Sequence, residues 1–136
     1  MKYNGRKYLQ KLGINIKNTP WGWCEDKKHN QRKKEWKKQR KIYGFDSRET
    51  WSLNYTIAIL VYERLSMYNE VNIIDTSFHK IKYKRKTMTL QECIDFILDN
   101  LKDYILDSHL ENEEENMNKA MNAMELLSKI YPYLWW

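Results

Sequence analysis

The sequence predicts an all-α fold, or a mostly α fold with a small β-hairpin near residues 71–83, that carries a basic N-terminal arm. Only four glycines and two prolines occur in 136 residues, which favours long regular elements. Capping-box patterns at Asp46–Glu49 and Thr89–Glu92 each precede apolar residues that repeat at helical spacing. A hydrophobic content of 42% is high enough for a buried core.

Two or three core helices are predicted, from the segments at residues 47–69, 90–107 and 115–130. In the first, two apolar rows run side by side and make a broad face for burial. In the second, one apolar face lies opposite an acidic face. The third is rich in methionine and ends before Pro132, because the residue before a proline disfavours the helical conformation.

Charge and tryptophan are distributed unevenly along the chain. Residues 1–90 hold 21 Lys and Arg against 8 Asp and Glu, whereas residues 91–136 hold 3 against 10. We expect a basic, aromatic-containing arm or helix over residues 1–42, followed by a helical core domain over residues 43–136 with a C-terminal oligomerisation tail. The six tryptophans are Trp21, Trp23, Trp36, Trp51, Trp135 and Trp136.

A basic surface interleaved with flat aromatic rings suits a ligand that carries phosphates and bases. The pI near 9.2 fits an anionic partner but does not distinguish a nucleic acid, a free nucleotide and a membrane surface. The longest apolar run, residues 57–62, is too short to cross a bilayer, so no membrane partner is expected. Two distant cysteines without a CxxC pattern indicate reduced thiols in a cytosolic protein.

The densest basic cluster is the run Lys27–Lys41, which holds nine Lys and Arg around Trp36. In one interpretation its cations contact phosphates while Trp36 stacks on a base. In the other it is a solvated face with Trp36 packed as an anchor.

A second cluster follows Phe78 and combines His79 and Tyr83 with Arg85. There, strand alternation puts His79, Ile81 and Tyr83 on one side and the lysines on the other.

Arg64 lies in the first predicted core helix among two apolar rows. It either makes a structural contact with Glu63 or Asn54, or points into a pocket and holds an anion through both arms of its guanidinium.

The tail from Tyr131 is too apolar to stay in water, so it docks on its own core or on a second subunit. The residues predicted for a homo-oligomer interface are Met121, Met124, Leu134, Trp135 and Trp136.

No catalytic motif is found, and we expect a protein that is not an enzyme. The glycines match neither GxGxxG nor the P-loop, and Asp107-Ser108-His109 has triad residue types without triad geometry. The histidines are scattered and no HxxxH or CxxC pairing exists, so neither a metal nor another cofactor is expected.

Residues 44–58, GFDSRETWSLNYTIA, resemble a motif of small proteins in tailed-phage genomes, GFD-x-x-E-T-W-x-L-[DN]-x-T-x-A. Phe78-His79-Lys80 and the capped helix from Thr89 resemble the second block of that family, so the resemblance covers roughly residues 43–107. It implies a phage accessory protein that acts in the cytoplasm of the infected bacterial host. No catalytic residues are carried over from it.

The leading hypothesis is a non-enzymatic protein that binds a small nucleotide-type anion and sequesters it, as an anti-defence protein would sequester a host immune signalling nucleotide. One alternative is a nucleic-acid-binding protein that uses the basic N-terminal arm. Another is a structural or partner-binding phage protein, and a hydrolase would need Asp75 and His79. The predicted ligand-binding residues are Trp36, Arg40, Tyr43, Arg64, His79, Tyr83 and Arg85.

Overall fold

The structure, a computed structural model, describes residues 5–106 and 113–135. Within them lie six α-helices and one two-stranded antiparallel hairpin, so the prediction of a mostly α fold with a small hairpin is confirmed. The helices are α1 (Lys7–Lys11), α2 (Asn30–Tyr43), α3 (Arg48–Trp51), α4 (Leu53–Val71), α5 (Leu90–Leu106) and α6 (Glu113–Ile130). The strands are β1 (Lys80–Tyr83) and β2 (Lys86–Thr89).

The chain divides into two units, Met1–Ile57 and Ala58–Trp136, with the boundary inside α4. The first unit contains α1, α2 and α3, and the second contains most of α4, the hairpin, α5 and α6. The predicted division between residues 42 and 43 stays a prediction.

The basic run of the sequence forms a helix in the first unit. α2 begins after a single 3-10 turn, Lys27–His29, and ends at Gly44, which adopts a left-handed conformation with φ of 83°. Glycine takes this conformation without steric cost, and its N–H donates to the Arg40 carbonyl at 2.9 Å. Trp36 is the buried residue of α2, so the other side of the helix faces solvent.

The capping box at Asp46 forms, but the helix that it starts is short. Glu49 Oε2 accepts from the Asp46 N–H at 3.1 Å, while Asp46 Oδ1 accepts from the Arg48 N–H at 3.0 Å. α3 ends at Ser52, whose φ of −122° and ψ of 72° are not helical. The single helix predicted over residues 47–69 is therefore two helices, α3 and α4.

The core of the second unit lies between α5 and α6. One face of α5 is fully buried, and small residues of α6, among them Ala123, allow the two helices to approach closely. The predicted helices 90–107 and 115–130 are found at these positions, although residue 107 lies outside the described residues. The buried apolar residues of α5 include Leu90, Ile94, Ile97, Leu101 and Ile105.

The hairpin lies later in the chain than residues 71–83, because only its first strand falls in that range. β1 pairs antiparallel with β2, with Lys80 opposite Thr89 and Tyr83 opposite Lys86. Lys84 and Arg85 form the two-residue connection and both have positive φ, 50° and 57°. That pattern belongs to type I′ hairpin turns, whose twist matches that of the strands.

Cys93 provides a test of the packing in the second unit. Its side chain is fully buried, and burial together with the charge of Glu92 raises the pKa of the thiol to about 11. In the Cys24→Ser variant, where Cys93 is the remaining thiol, we expect labelling by a disulfide reagent at about pH 8 to be negligible in the native protein and complete in denaturant. Rapid labelling of the native variant would contradict this packing.

Candidate nucleic-acid interface

Three tryptophans of the first unit, Trp23, Trp36 and Trp51, form one cluster, which we call the tryptophan cluster. The Trp23 and Trp51 rings are nearly parallel, with an interplanar angle of 8° and centroids 6.2 Å apart. Trp36 meets Trp51 edge-on at a centroid distance of 5.9 Å. Trp36 is only 4% exposed, whereas Trp51 is 47% exposed. The cluster therefore presents Trp51 to solvent and buries Trp36.

A buried arginine joins the tryptophan cluster to the start of α3. Arg48 is 2% exposed, and its Cζ lies 4.3 Å from the centroid of the Trp36 ring. Its Nη2 and Nε donate to the two carboxylate oxygens of Asp46 at 2.9 and 3.1 Å. Its Nη1 donates to Glu25 Oε1 at 2.7 Å and to the Trp23 carbonyl at 2.8 Å. One side chain thus holds three separate segments of the unit.

Asp46 is the counter-charge for two arginines. In addition to Arg48, Arg40 donates through Nε to Asp46 Oδ2 at 2.6 Å. Burial by itself disfavours the ionised carboxylate, but the hydrogen bonds from Arg48 and the charges of Arg48 and Arg40 outweigh it. The pKa of Asp46 is therefore lowered from its ordinary 3.8.

A cation lies beside the exposed tryptophan. The Cζ of Arg32, on α2, lies 5.8 Å from the centroid of the Trp51 ring, at the outer limit of a cation–π contact. Arg32 is exposed and has no salt bridge within the described residues. An aromatic face and an unneutralised guanidinium are thus adjacent at the surface, an arrangement that can stack a base and contact a phosphate.

The remaining lysines of α2 form a separate surface. Lys34, Lys37, Lys38 and Lys41 recur at intervals of three and four residues, which places them on one face of the helix, opposite Trp36. All four side chains are exposed. None of them has an acidic partner among residues 5–106 and 113–135. We call these four residues the lysine stripe.

Three of the predicted ligand-binding residues lie in the first unit. Trp36 is covered by Arg48 and Trp51, so its ring is not presented to a base. Arg40 is engaged by Asp46, although its side chain remains 43% exposed. Tyr43 is exposed at the end of α2, with its ring centroid 6.1 Å from that of Phe45.

The other four predicted residues lie in the second unit and do not form one cluster. Tyr83 is buried, packs edge-on against Phe96, and donates its hydroxyl to the Asn122 carbonyl at 3.5 Å. Arg85 is exposed in the hairpin turn.

His79 is half-buried between rings, 5.4 Å from Phe78 and 4.5 Å from Tyr133. Arg64 is exposed on α4 and lines a cleft that is described below.

The predicted oligomer interface has exposed and half-buried members. Met121 and Trp135 are largely exposed, Met124 is half-buried, and Leu134 is half-buried in the wall of the same cleft as Arg64. Trp136 lies outside the described residues. The homo-oligomer stays a prediction.

Sequence reasoning missed Trp51, Arg32 and Arg48 as parts of a site. The spacing of Trp51 to Tyr55 and Ala58 is helical, which predicts a place for Trp51 in the apolar row of the core helix. The break at Ser52 separates Trp51 from that row. The lysine stripe could have been found from the sequence, because the spacing of its four lysines places them on one face if residues 30–43 form a helix.

The described residues offer little for other kinds of site. In the part of the chain that the structure describes, no group of three or more His, Cys, Asp and Glu side chains is placed to hold a metal ion. None of the helices described there has the length and apolar character needed to span a membrane.

No family model, curated protein or solved structure matches the chain.

The Asp46–Arg48 pair can be tested by Asp46→Asn. The substitution removes the buried one of the two carboxylates that pair with Arg48 and leaves the half-exposed Glu25 as its remaining counter-charge, so we expect the free energy of unfolding to fall by about 3 kcal/mol. Tryptophan fluorescence is a suitable readout, because four of the six tryptophans belong to the first unit. As a control, Asp103→Asn removes an exposed partner of Lys119 and should cost less than about 1 kcal/mol.

The lowered pKa of Asp46 also predicts how the stability of the protein depends on pH, and Asp46→Asn tests this. Because the pKa of Asp46 is lower in the folded than in the unfolded chain, its contribution to stability is complete well above pH 3.8 and is lost as the pH falls from 3.8 through the folded-state pKa. Asp46→Asn should therefore lose less stability than the wild type over that acidic range. Parallel acid profiles for the two proteins would contradict the assignment.

Proposed function

We propose that the first unit binds single-stranded nucleic acid through α2 and Trp51. The proposal is carried by the lysine stripe, an exposed row of four cations that has no acidic partner in the described parts of the chain. Cations that are already paired gain little from a phosphate, whereas unpaired lysines release the counterions of a polyanion when they bind it. The proposed contact is therefore on the outer face of α2.

The dimensions of the lysine stripe favour a polyanion over a single phosphate. From Lys34 to Lys41 the helix rises about 10 Å, at roughly 1.5 Å per residue. Lysines spread over this length can contact successive phosphates of a strand. Lysine also binds phosphate as a point charge without a fixed orientation, which suits binding that does not depend on base sequence.

Trp51 adds a contact that a duplex does not offer. An unpaired base can stack on its exposed ring, and Arg32 can contact the adjoining phosphate. Since Trp51 packs on the Trp36 side of α2, the ring and the lysine stripe lie on different sides of the helix. A flexible single strand can bend around α2 to reach both, whereas a stiff duplex cannot.

A second candidate is the sequestration of a free nucleotide, which the pairing of Trp51 with Arg32 favours. One ring and one guanidinium are enough for a single base and its phosphate. In the phage setting that the motif at residues 44–58 implies, such a ligand would be a nucleotide of host immune signalling. A free nucleotide is too short to use the full lysine stripe, so the two candidates differ in how affinity depends on ligand length.

The lysine stripe is tested by replacing its four lysines with glutamine. We expect single-stranded DNA of about 15 nucleotides to bind more weakly, and the slope of log K against log salt to become shallower by about 0.7 for each phosphate that is no longer neutralised. A matched control replaces Lys80, Lys82, Lys84 and Lys86, exposed residues of the hairpin, and changes the net charge equally. If the two quadruple variants weaken binding equally, the loss comes from the change in net charge, and the lysine stripe is not a specific binding surface.

Trp51→Leu tests the stacking contact separately. Stacking of a base on an aromatic ring is worth about 1–3 kcal/mol, so affinity for the single strand should fall by roughly 5- to 150-fold, and affinity for duplex DNA should change little. Trp135→Leu, which removes an exposed tryptophan of the second unit, is the control. The unfolding transition of each variant is measured alongside binding, because Trp51 also packs on Trp23.

Length dependence separates the two candidates. If a mononucleotide binds as tightly as the 15-mer and the quadruple lysine variant retains that binding, sequestration of a free nucleotide is favoured. If neither ligand binds at physiological salt, both candidates fail.

A further inference from the structure

The second unit contains a cleft of about 530 Å³ between α4, α6 and the segment that follows α6. Aliphatic and aromatic side chains form most of its lining, including Leu60 and Leu65 of α4, Leu127 of α6, and Leu134. Pockets of about 300–1,000 Å³ with this kind of lining are typical of small-molecule sites in proteins. The polar groups at the cleft wall then decide which small molecules fit.

Among the described residues that line the cleft, Arg64 is the charged one. It is exposed, and its Nη1 donates a long hydrogen bond of 3.4 Å to the Leu60 carbonyl in the preceding turn. A guanidinium has five N–H donors arranged as a fork that matches a carboxylate. Most of the donors of Arg64 are therefore available to a ligand at the edge of an apolar surface.

Tyr68 supplies the second polar group and fixes one wall. Burial raises the pKa of its phenol, because a buried position disfavours the charged phenolate. The hydroxyl lies 3.5 Å from the Tyr133 carbonyl and 3.4 Å from the Trp135 carbonyl. These long hydrogen bonds hold the segment after α6 against α4, so the cleft is formed by the fold of this unit.

We propose that this cleft binds a small amphipathic monoanion, a molecule with an apolar chain or ring and one carboxylate held by Arg64. The apolar lining removes the hydrocarbon from water, and the single guanidinium balances a single negative charge. A nucleotide with several phosphate charges would lack cations here, so this ligand differs in class from that proposed for the first unit. The site stands independently of the function proposed above.

The test uses the full-length protein and dodecanoate, titrated by calorimetry below the concentration at which it forms micelles. We expect saturable binding of one dodecanoate per chain. Arg64→Ala should weaken it at least about tenfold, and Arg64→Lys should weaken it less, because lysine keeps the charge but loses the fork. Dodecanol, which has the same chain without the charge, should bind the wild type and Arg64→Ala alike.

Two controls keep the test specific. Lys102→Ala removes an exposed cation of the same unit that does not line the cleft, and it should leave dodecanoate binding unchanged. Since Arg64 is exposed, its replacement should leave the unfolding transition in place. Equal affinities of the wild type and Arg64→Ala for dodecanoate, or no saturable binding by the wild type, would overturn the proposal.

A second copy of the chain is the competing occupant. Light scattering of the wild type and of Tyr131→Ala, which removes an exposed aromatic wall of the cleft, distinguishes the two. A dimer that Tyr131→Ala dissociates, and that dodecanoate does not disrupt, would assign the cleft to a subunit interface and overturn the ligand site. A monomer that binds dodecanoate would support it.

Discussion

The first unit is organised around one buried guanidinium. Arg48 meets the carboxylate of Asp46, the side chain of Glu25, the carbonyl of Trp23 and the face of Trp36. A charge in this position is costly unless every side of it is satisfied, so these partners must be in place together. The relative positions of the loop before α2, of α2 itself and of α3 follow from that requirement, and Trp51 at the end of α3 is presented to solvent as a result.

This arrangement separates the cations of the basic run into two groups. On the packed side of α2, Arg40 is paired with Asp46, and Lys33 Nζ lies 3.9 Å from Glu25 Oε2. On the opposite side, the lysine stripe has no acidic partner in the described residues. Arginine suits the fixed, forked contacts and lysine suits a hydrated, mobile charge, so the residue types match these positions. Net charge alone would count both groups as available to a ligand.

The sequence predicted α5 and α6 well because burial dictates their periodicity, most clearly in α5, where the apolar face is continuous. It did not predict the break at Ser52, because Trp51 happens to fit the spacing of the next helix although it belongs to the preceding turn. The hairpin turn was missed for another reason. Lys84 and Arg85 adopt the left-handed conformations that normally favour Asn-Gly, so the turn lacks its usual sequence pattern. Here the packing of Ile81 and Tyr83 into the core overrides local preference.

The candidate sites were harder to predict than the fold, because proximity in sequence is a poor guide to a shared surface. Trp36 lies in the middle of the basic run, yet the helix turns it away from the lysine stripe and Arg48 covers it. Arg64 was predicted either to make a structural contact or to hold an anion in a pocket, and its place in a largely apolar cleft decides which anions suit it. A single guanidinium beside an apolar surface favours one charge on an apolar body, whereas a row of lysines without acidic partners among the described residues favours many charges on a polar one. The ligands proposed for the two units therefore differ in chemistry, although the leading hypothesis from the sequence was a single class of ligand for both.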